Sequence, residues 1–194
     1  MAAASLEPVV FSTAVEGMRK AFHRQFTPQL LAELKGMGID FDHALAAYPL
    51  DVWLKVVRVL AERFAADVPA ADRVQHLGRI FMRGYVQTAV GMATLAAAKV
   101  MGLRRTLLRM GRNFRTAANY VITEAKEVGP KEVHIRTFID PQYLPRVTDH
   151  SLLLSEYRQG VLQETLVLVG GKGTVDIIDA KPDVQDVTFR VRWD

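Results

Sequence analysis

A change of period most constrains the fold. In the first two-thirds of the chain, apolar residues recur at helical spacing. Leu50 to Ala66 carries Val52, Trp53, Val56, Val57, Leu60 and Phe64 as one stripe. Beyond Tyr120 the spacing shortens to two. In "VTFRVRWD" Val187, Phe189, Val191 and Trp193 alternate with Thr188, Arg190 and Arg192, which predicts a strand with one buried and one wet, cationic face. A helical block followed by strands gives an α+β fold, an N-terminal helical bundle packed on a small antiparallel sheet.

Local signals divide the two blocks. Thr13 with Glu16 reads as a capping box opening a helix to about Gln25, with Val15, Met18 and Phe22 on one face. Thr27 as N-cap and Pro28 at the first helical position open a second helix, stopped by Gly36 or Gly38. "IDFDHALAAYP" reads as a connection, and Asp67-Val68-Pro69 ends the Leu50–Ala66 helix. Asp72 begins a helix to about Gln87, and another runs on to Met101, either continuous with it or kinked near Gly84 or Gly91. Gly102 separates that from a short basic helix, Leu103 to Met110. "YVITEAKEVGPKEVHIRTFI" then reads as two strands around a Gly-Pro turn. Pro141 to Ser151 is loop, "SEYRQGVLQETLVLVGGKG" is a helix ended by Gly170 and Gly171, and two further strands close the chain. The sheet order along the chain is therefore β-β-α-β-β. The expectation is one domain over residues 1–194, helical over about 12–112 and sheet over about 117–194.

Composition narrows the function classes. With 49% hydrophobic and 24% charged residues the chain is of ordinary globular type. It has no cysteine, which excludes thiolate metal sites, Fe–S clusters, disulfides and cysteine nucleophiles. The run Tyr85 to Val100 is alanine-rich and falls short of the ~20 apolar residues of a membrane span, and MAAAS lacks the charge and apolar core of a signal peptide. A cytoplasmic location is expected. A net charge of +4 is mild for a nucleic-acid binder, and no such partner is expected.

Five arginines, Arg104, Arg105, Arg109, Arg112 and Arg115, crowd the joint between the blocks. Such a cluster either complements a helix C-terminus and pairs with nearby acids, or meets a ligand's anionic group with its guanidinium forks. Asn113, Thr116 and Asn119 at the same joint either brace free backbone groups or orient a ligand. Small residues from Gly84 to Ala98 permit either close helix contact or room for an apolar ligand against Met92, Leu95 and Met101. The candidate ligand-binding set is thus Arg112, Asn113, Arg115, Thr116, Asn119, Met92 and Leu95. His23, His43, His76, His134 and His150 show no metal-ligand spacing and read as surface residues, so no metal site is expected. Gly170-Gly171-Lys172-Gly173 ends a helix where a phosphate loop would precede one, and no GxSxG, Walker A or HExxH string occurs. No catalytic residue is assigned, and an enzyme is not expected.

"FSTAVEGM" (Phe11–Met18), "YPLDVW" (Tyr48–Trp53), "GYVQTAVG" (Gly84–Gly91), "RNFRTAANY" (Arg112–Tyr120) and "FRVRW" (Phe189–Trp193) together resemble a paralogous family of uncharacterised myxobacterial proteins. That resemblance carries no activity. The element order is also similar to the fold of haem nitric-oxide sensors, four-vinyl-reductase domains and TRAPP vesicle-tethering subunits. It implies a helix–sheet pocket for a small ligand, or a dimerising adaptor. The haem sensors use a proximal histidine and a Tyr-x-Ser-x-Arg element. Here Ser155-Glu156-Tyr157-Arg158 has a different order, and no cofactor is assigned. The expected function is a non-catalytic sensor or carrier of a small apolar or anionic ligand, with Arg112 and Arg115 near the head group. The alternative is a homodimeric adaptor contacting signalling or small-GTPase partners.

Overall fold

The computed structural model describes residues 7–110, 114–147 and 153–194. Seven named helices alternate with two antiparallel sheets. The helices are α1 (Ser12–Phe22), α2 (Pro28–Gly36), α3 (Leu50–Phe64), α4 (Arg73–Tyr85), α5 (Ala89–Met101), α6 (Leu103–Leu108) and α7 (Leu153–Leu168). The strands are β1 (Val9–Phe11), β2 (Ala47–Pro49), β3 (Val121–Gly129), β4 (Glu132–Ile139), β5 (Gly173–Lys181) and β6 (Asp186–Trp193).

The large sheet runs β3-β4-β6-β5 in space, every neighbouring pair antiparallel. Alternation along β6 does what the pattern predicts: Val187, Phe189 and Val191 are buried with Val133 and Ile135 against Leu107, Leu162 and Leu166 of the helices. The opposite face holds Arg136 between Asp186 (2.7 Å) and Glu124 (3.3 Å), and Arg190 and Arg192 on Asp176. Solvated pairs of this kind each add little to stability.

A second apolar cluster fills the helical block, with Met18, Trp53, Val57, Leu60, Leu77 and Phe81 at its heart. Helix α7 serves both clusters. Tyr157 and Val161 face the helical one, while Leu162 and Leu166 face the sheet. A helix covered on both sides must be apolar nearly all round. Its most intimate neighbour is α4, and two glycines make the approach. A Cβ on Gly78 would overlap the Tyr157 carbonyl oxygen, and one on Gly160 would overlap that of Gln75. Buried Glu164 of α7 then accepts from Arg83 Nε at 2.7 Å and Arg79 Nε at 3.4 Å, fastening the same pair of helices.

Three local expectations change. The Thr13–Glu16 capping box does not form: α1 begins after Phe11 with no side-chain cap, and the Thr13 hydroxyl donates to the Thr116 carbonyl at 2.7 Å instead. Val9–Phe11 and Ala47–Pro49 pair as a small two-stranded sheet, the second strand lying inside the stretch expected to be a connection. Three residues are too few for periodicity to register, and their partner lies some forty positions away. Finally, α4 and α5 are separate helices. Thr88 divides them, donating to the Tyr85 carbonyl at 2.8 Å and accepting from the Gly91 amide at 3.0 Å as an N-cap. Gly84 produces no kink and packs on Gly17 and Ala21 of α1.

Candidate functional site

Where α4, α5 and α7 converge on the joint leading into β3, they leave a cavity of about 110 Å³. Its walls are mostly carbon. Trp53, Phe81 and Val161 come from the core side, Leu95 and Ala98 from α5, and Phe114 and Ala118 from the joint. Trp53, Phe81 and Tyr157 form an edge-and-tilt aromatic group with ring centroids 5.4–6.5 Å apart, which fixes one wall. Tyr85 contributes its ring, and its hydroxyl lies 3.0 Å from Thr116 Oγ1.

The joint splits its residues by polarity. Met110, Phe114, Ala117 and Ala118 line the cavity, whereas its described arginines lie outside. Arg104 donates to Glu127 at 2.8 Å, an exposed ion pair that pulls the Glu127 carboxyl below its usual range. Arg109 rests on the Met101 sulfur at 3.2 Å, and Arg105 and Arg115 are exposed. Arg112 and Asn113 lie outside the described residues. Asn119 ties the joint to the chain's first strand, accepting from the Val9 amide at 2.8 Å and donating to the Glu7 carbonyl at 3.0 Å. Of the predicted set, Leu95 alone among the described residues lines the cavity. Met92 is 56% exposed on the outer side of α5, and Thr116 touches the cavity only through Tyr85.

The cation that does line the cavity is Arg158, and it is 4% exposed. One terminal nitrogen donates to Thr137 Oγ1 at 3.3 Å, and the other has no hydrogen-bond partner among the described residues. The Tyr120 phenol is its neighbour, close enough to hydrogen-bond with it. Burial pulls the Arg158 guanidinium down from its ordinary value, yet an arginine stays charged in a protein. Burial pushes Tyr120 up and Tyr157 well up, so both stay as neutral phenols, and the Tyr157 hydroxyl also lacks a partner among the described residues. The cavity is therefore a mostly apolar chamber with one positive charge, and the neutral phenols of Tyr120 and Tyr157 are among its few hydroxyls.

Arg158 carries a signal that the sequence reading passed over. Leu154, Tyr157, Arg158, Val161, Thr165 and Leu168 fall at one-face helical spacing, and all line the cavity. A charged residue inside an apolar stripe is either paired or functional. Among the described residues no histidine lines the cavity, and His150 lies outside them. His23 and His43 are exposed, His76 is half-buried away from it, and His134 sits on the wet face of the sheet 2.9 Å from Glu132.

A helical block packed on a β-β-α-β-β sheet through one two-faced helix is the fold of H-NOX domains. An oxygen-binding H-NOX domain related to soluble guanylate cyclases superposes with a TM-score of 0.62 at 12% identity, covering 94% of this chain and 92% of its own. A T. tengcongensis H-NOX variant gives 0.63 at 11% identity, covering 94% and 96%. An H-NOX structure bearing on the mechanism of activation gives 0.62 at 14%, covering 92% and 94%. At such identities the likeness establishes the fold alone. No curated protein matches this chain significantly. The chain belongs to the family described as protein of unknown function (DUF2378), whose pattern matches residues 8–194.

Proposed function

We propose that this protein is a non-catalytic sensor or carrier domain that binds a small ligand in the cavity between α4, α5, α7 and the start of β3. The observation that carries the reading is the cavity itself: a preformed apolar chamber with a few convergent polar groups is the ordinary form of a small-molecule site. The described lining offers no carboxylate and no imidazole, so it supplies no acid–base pair for catalysis.

The H-NOX likeness raises haem, and this lining does not suit it. Among the described residues no histidine reaches the cavity, and Tyr120 and Tyr157 are held as neutral phenols by burial, which makes them poor iron ligands. The chamber is also smaller than the ~150 Å³ cavity that admits a single benzene ring. A ligand of a few heavy atoms is the better match.

Native mass spectrometry of freshly purified protein, with an absorbance spectrum of the same sample, tests the reading. A stoichiometric small mass that leaves on denaturation, with no Soret band, is expected. A Soret band would overturn the rejection of haem. A ligand-free mass that stays ligand-free with xenon or butan-1-ol added would refute the binder.

The adaptor reading has one observation of its own. Val90, Met92 and Val100 leave an apolar face of α5 open to solvent. A concentration-dependent dimer broken by Val100→Glu would favour it.

A further inference from the structure

Resting on the binding role proposed above, we propose that the ligand is a small apolar monocarboxylic acid whose carboxylate is held by Arg158, with the Tyr120 and Tyr157 hydroxyls beside it. Three observations converge on this class.

The first is a charge without a counter-charge. Among the described residues the other buried ionic side chains are Glu164, which has two arginines, and Asp186, which has Arg136. Arg158, as deeply buried as Glu164, has no ion-pair partner among the described residues: it donates to Thr137, and the Tyr120 phenol lies nearby. Holding a guanidinium out of water without an anion costs several kcal/mol in general. An anion entering the cavity would offset that cost.

The second is geometry. A guanidinium fork matches the two oxygens of a carboxylate, and Arg158 has an unused terminal nitrogen to complete the match. The unpartnered Tyr157 hydroxyl is a further donor among the lining residues, and Tyr120 neighbours both residues. One guanidinium balances one negative charge. The described lining has no second cation for a phosphate dianion.

The third is the rest of the chamber. Phe81, Leu95 and Val161 offer an apolar body side chains of carbon alone, with the Trp53 ring beside them. Scaled against a ~150 Å³ cavity that holds six carbons, the enclosed volume suits about four to six heavy atoms. A short-chain acid matches both ends of the site.

The test uses the full chain and four probes: propanoate and butanoate, each against its alcohol, propan-1-ol and butan-1-ol. Binding is followed by the methyl resonances of Met82, Leu95 and Val161, with inorganic phosphate as a competing anion. Each acid is expected to bind at least about tenfold tighter than its alcohol, the usual worth of a charge-assisted hydrogen bond. Arg158→Met should erase that preference and leave the alcohols within about twofold. Arg158→Lys keeps the charge but loses the fork, and should shrink the preference several-fold even if the methionine variant does not fold.

Equal binding of acid and alcohol to the wild type, or an acid preference unchanged in both variants, overturns the inference and leaves the apolar binding site standing. So does phosphate binding tighter than butanoate. Failure of all four probes to move the cavity methyls overturns the inference and the binding role together.

Discussion

Gly78→Ala sets two physical arguments against each other. On helix propensity alone, replacing an interior glycine by alanine stabilises by ~1 kcal/mol. The contact between α4 and α7 predicts the reverse. The new Cβ would overlap the Tyr157 carbonyl oxygen, and would lie 3.0 Å from the Tyr157 carbonyl carbon and 3.2 Å from the Val161 amide nitrogen. These are backbone atoms, so no rotamer change relieves them and α7 must retreat by roughly an ångström. Overpacking of this kind costs ~1–3 kcal/mol, and the retreat also loosens α7 against the sheet. With the propensity gain deducted, the expected net loss is up to about 2 kcal/mol. In a chain of this size that lowers Tm by up to roughly 8 °C. Gly36→Ala is the control, since a Cβ at the end of α2 meets nothing within 4 Å, and it should hold or raise stability. Urea unfolding of the three proteins under identical conditions decides the matter. A Gly78→Ala variant more stable than the wild type by the full ~1 kcal/mol of propensity would refute the claim that backbone contact sets the α4–α7 distance.

Glu164 gives an asymmetric prediction. Arg79→Ala with Arg83→Ala strands a carboxylate that is 3% exposed, and should cost ~3–5 kcal/mol in urea unfolding. Glu164→Met instead frees two arginines that reach water, and should cost less than half as much; the opposite ranking would show that the cations, not the carboxylate, need the pair. At Asp40, the Lys35 ammonium (2.8 Å) and the amides of His43 and Asp42 hold the carboxyl down at about 2, against an ordinary 3.8. A lowered folded-state value means stability that is fully present above pH ~4 and is lost as pH falls toward 2. The difference in stability between wild type and Asp40→Asn should therefore hold down to about pH 4 and shrink below it. A gap that closes near neutral pH would contradict the assignment.

Much of the architecture was legible in the chain because it depends on local periodicity. The stripe from Val52 to Phe64 can bury itself only as a helix, and the alternation from Val187 to Trp193 only as a strand. Thr27-Pro28 capped α2 as its chemistry requires, with the Thr27 hydroxyl accepting from the Leu30 amide at 3.2 Å. What failed locally was short or had a distant partner: the β1–β2 pair, and the Thr13 hydroxyl, which found the Thr116 carbonyl across the chain.

The site followed a different logic. The arginines at the joint were conspicuous because they cluster, and clustered charge is what a solvated surface tolerates. Arg158 stood alone among Tyr157, Val161 and Leu154, and only the packing of α7 between two apolar clusters put it out of water. The small residues behaved likewise. Gly78 and Gly160 serve helix contact while Ala98 borders a cavity, and composition cannot separate the two. Periodicity along a chain says which face of an element is buried. What that face meets, whether a backbone, an ion or an open space, depends on the neighbour the fold brings to it.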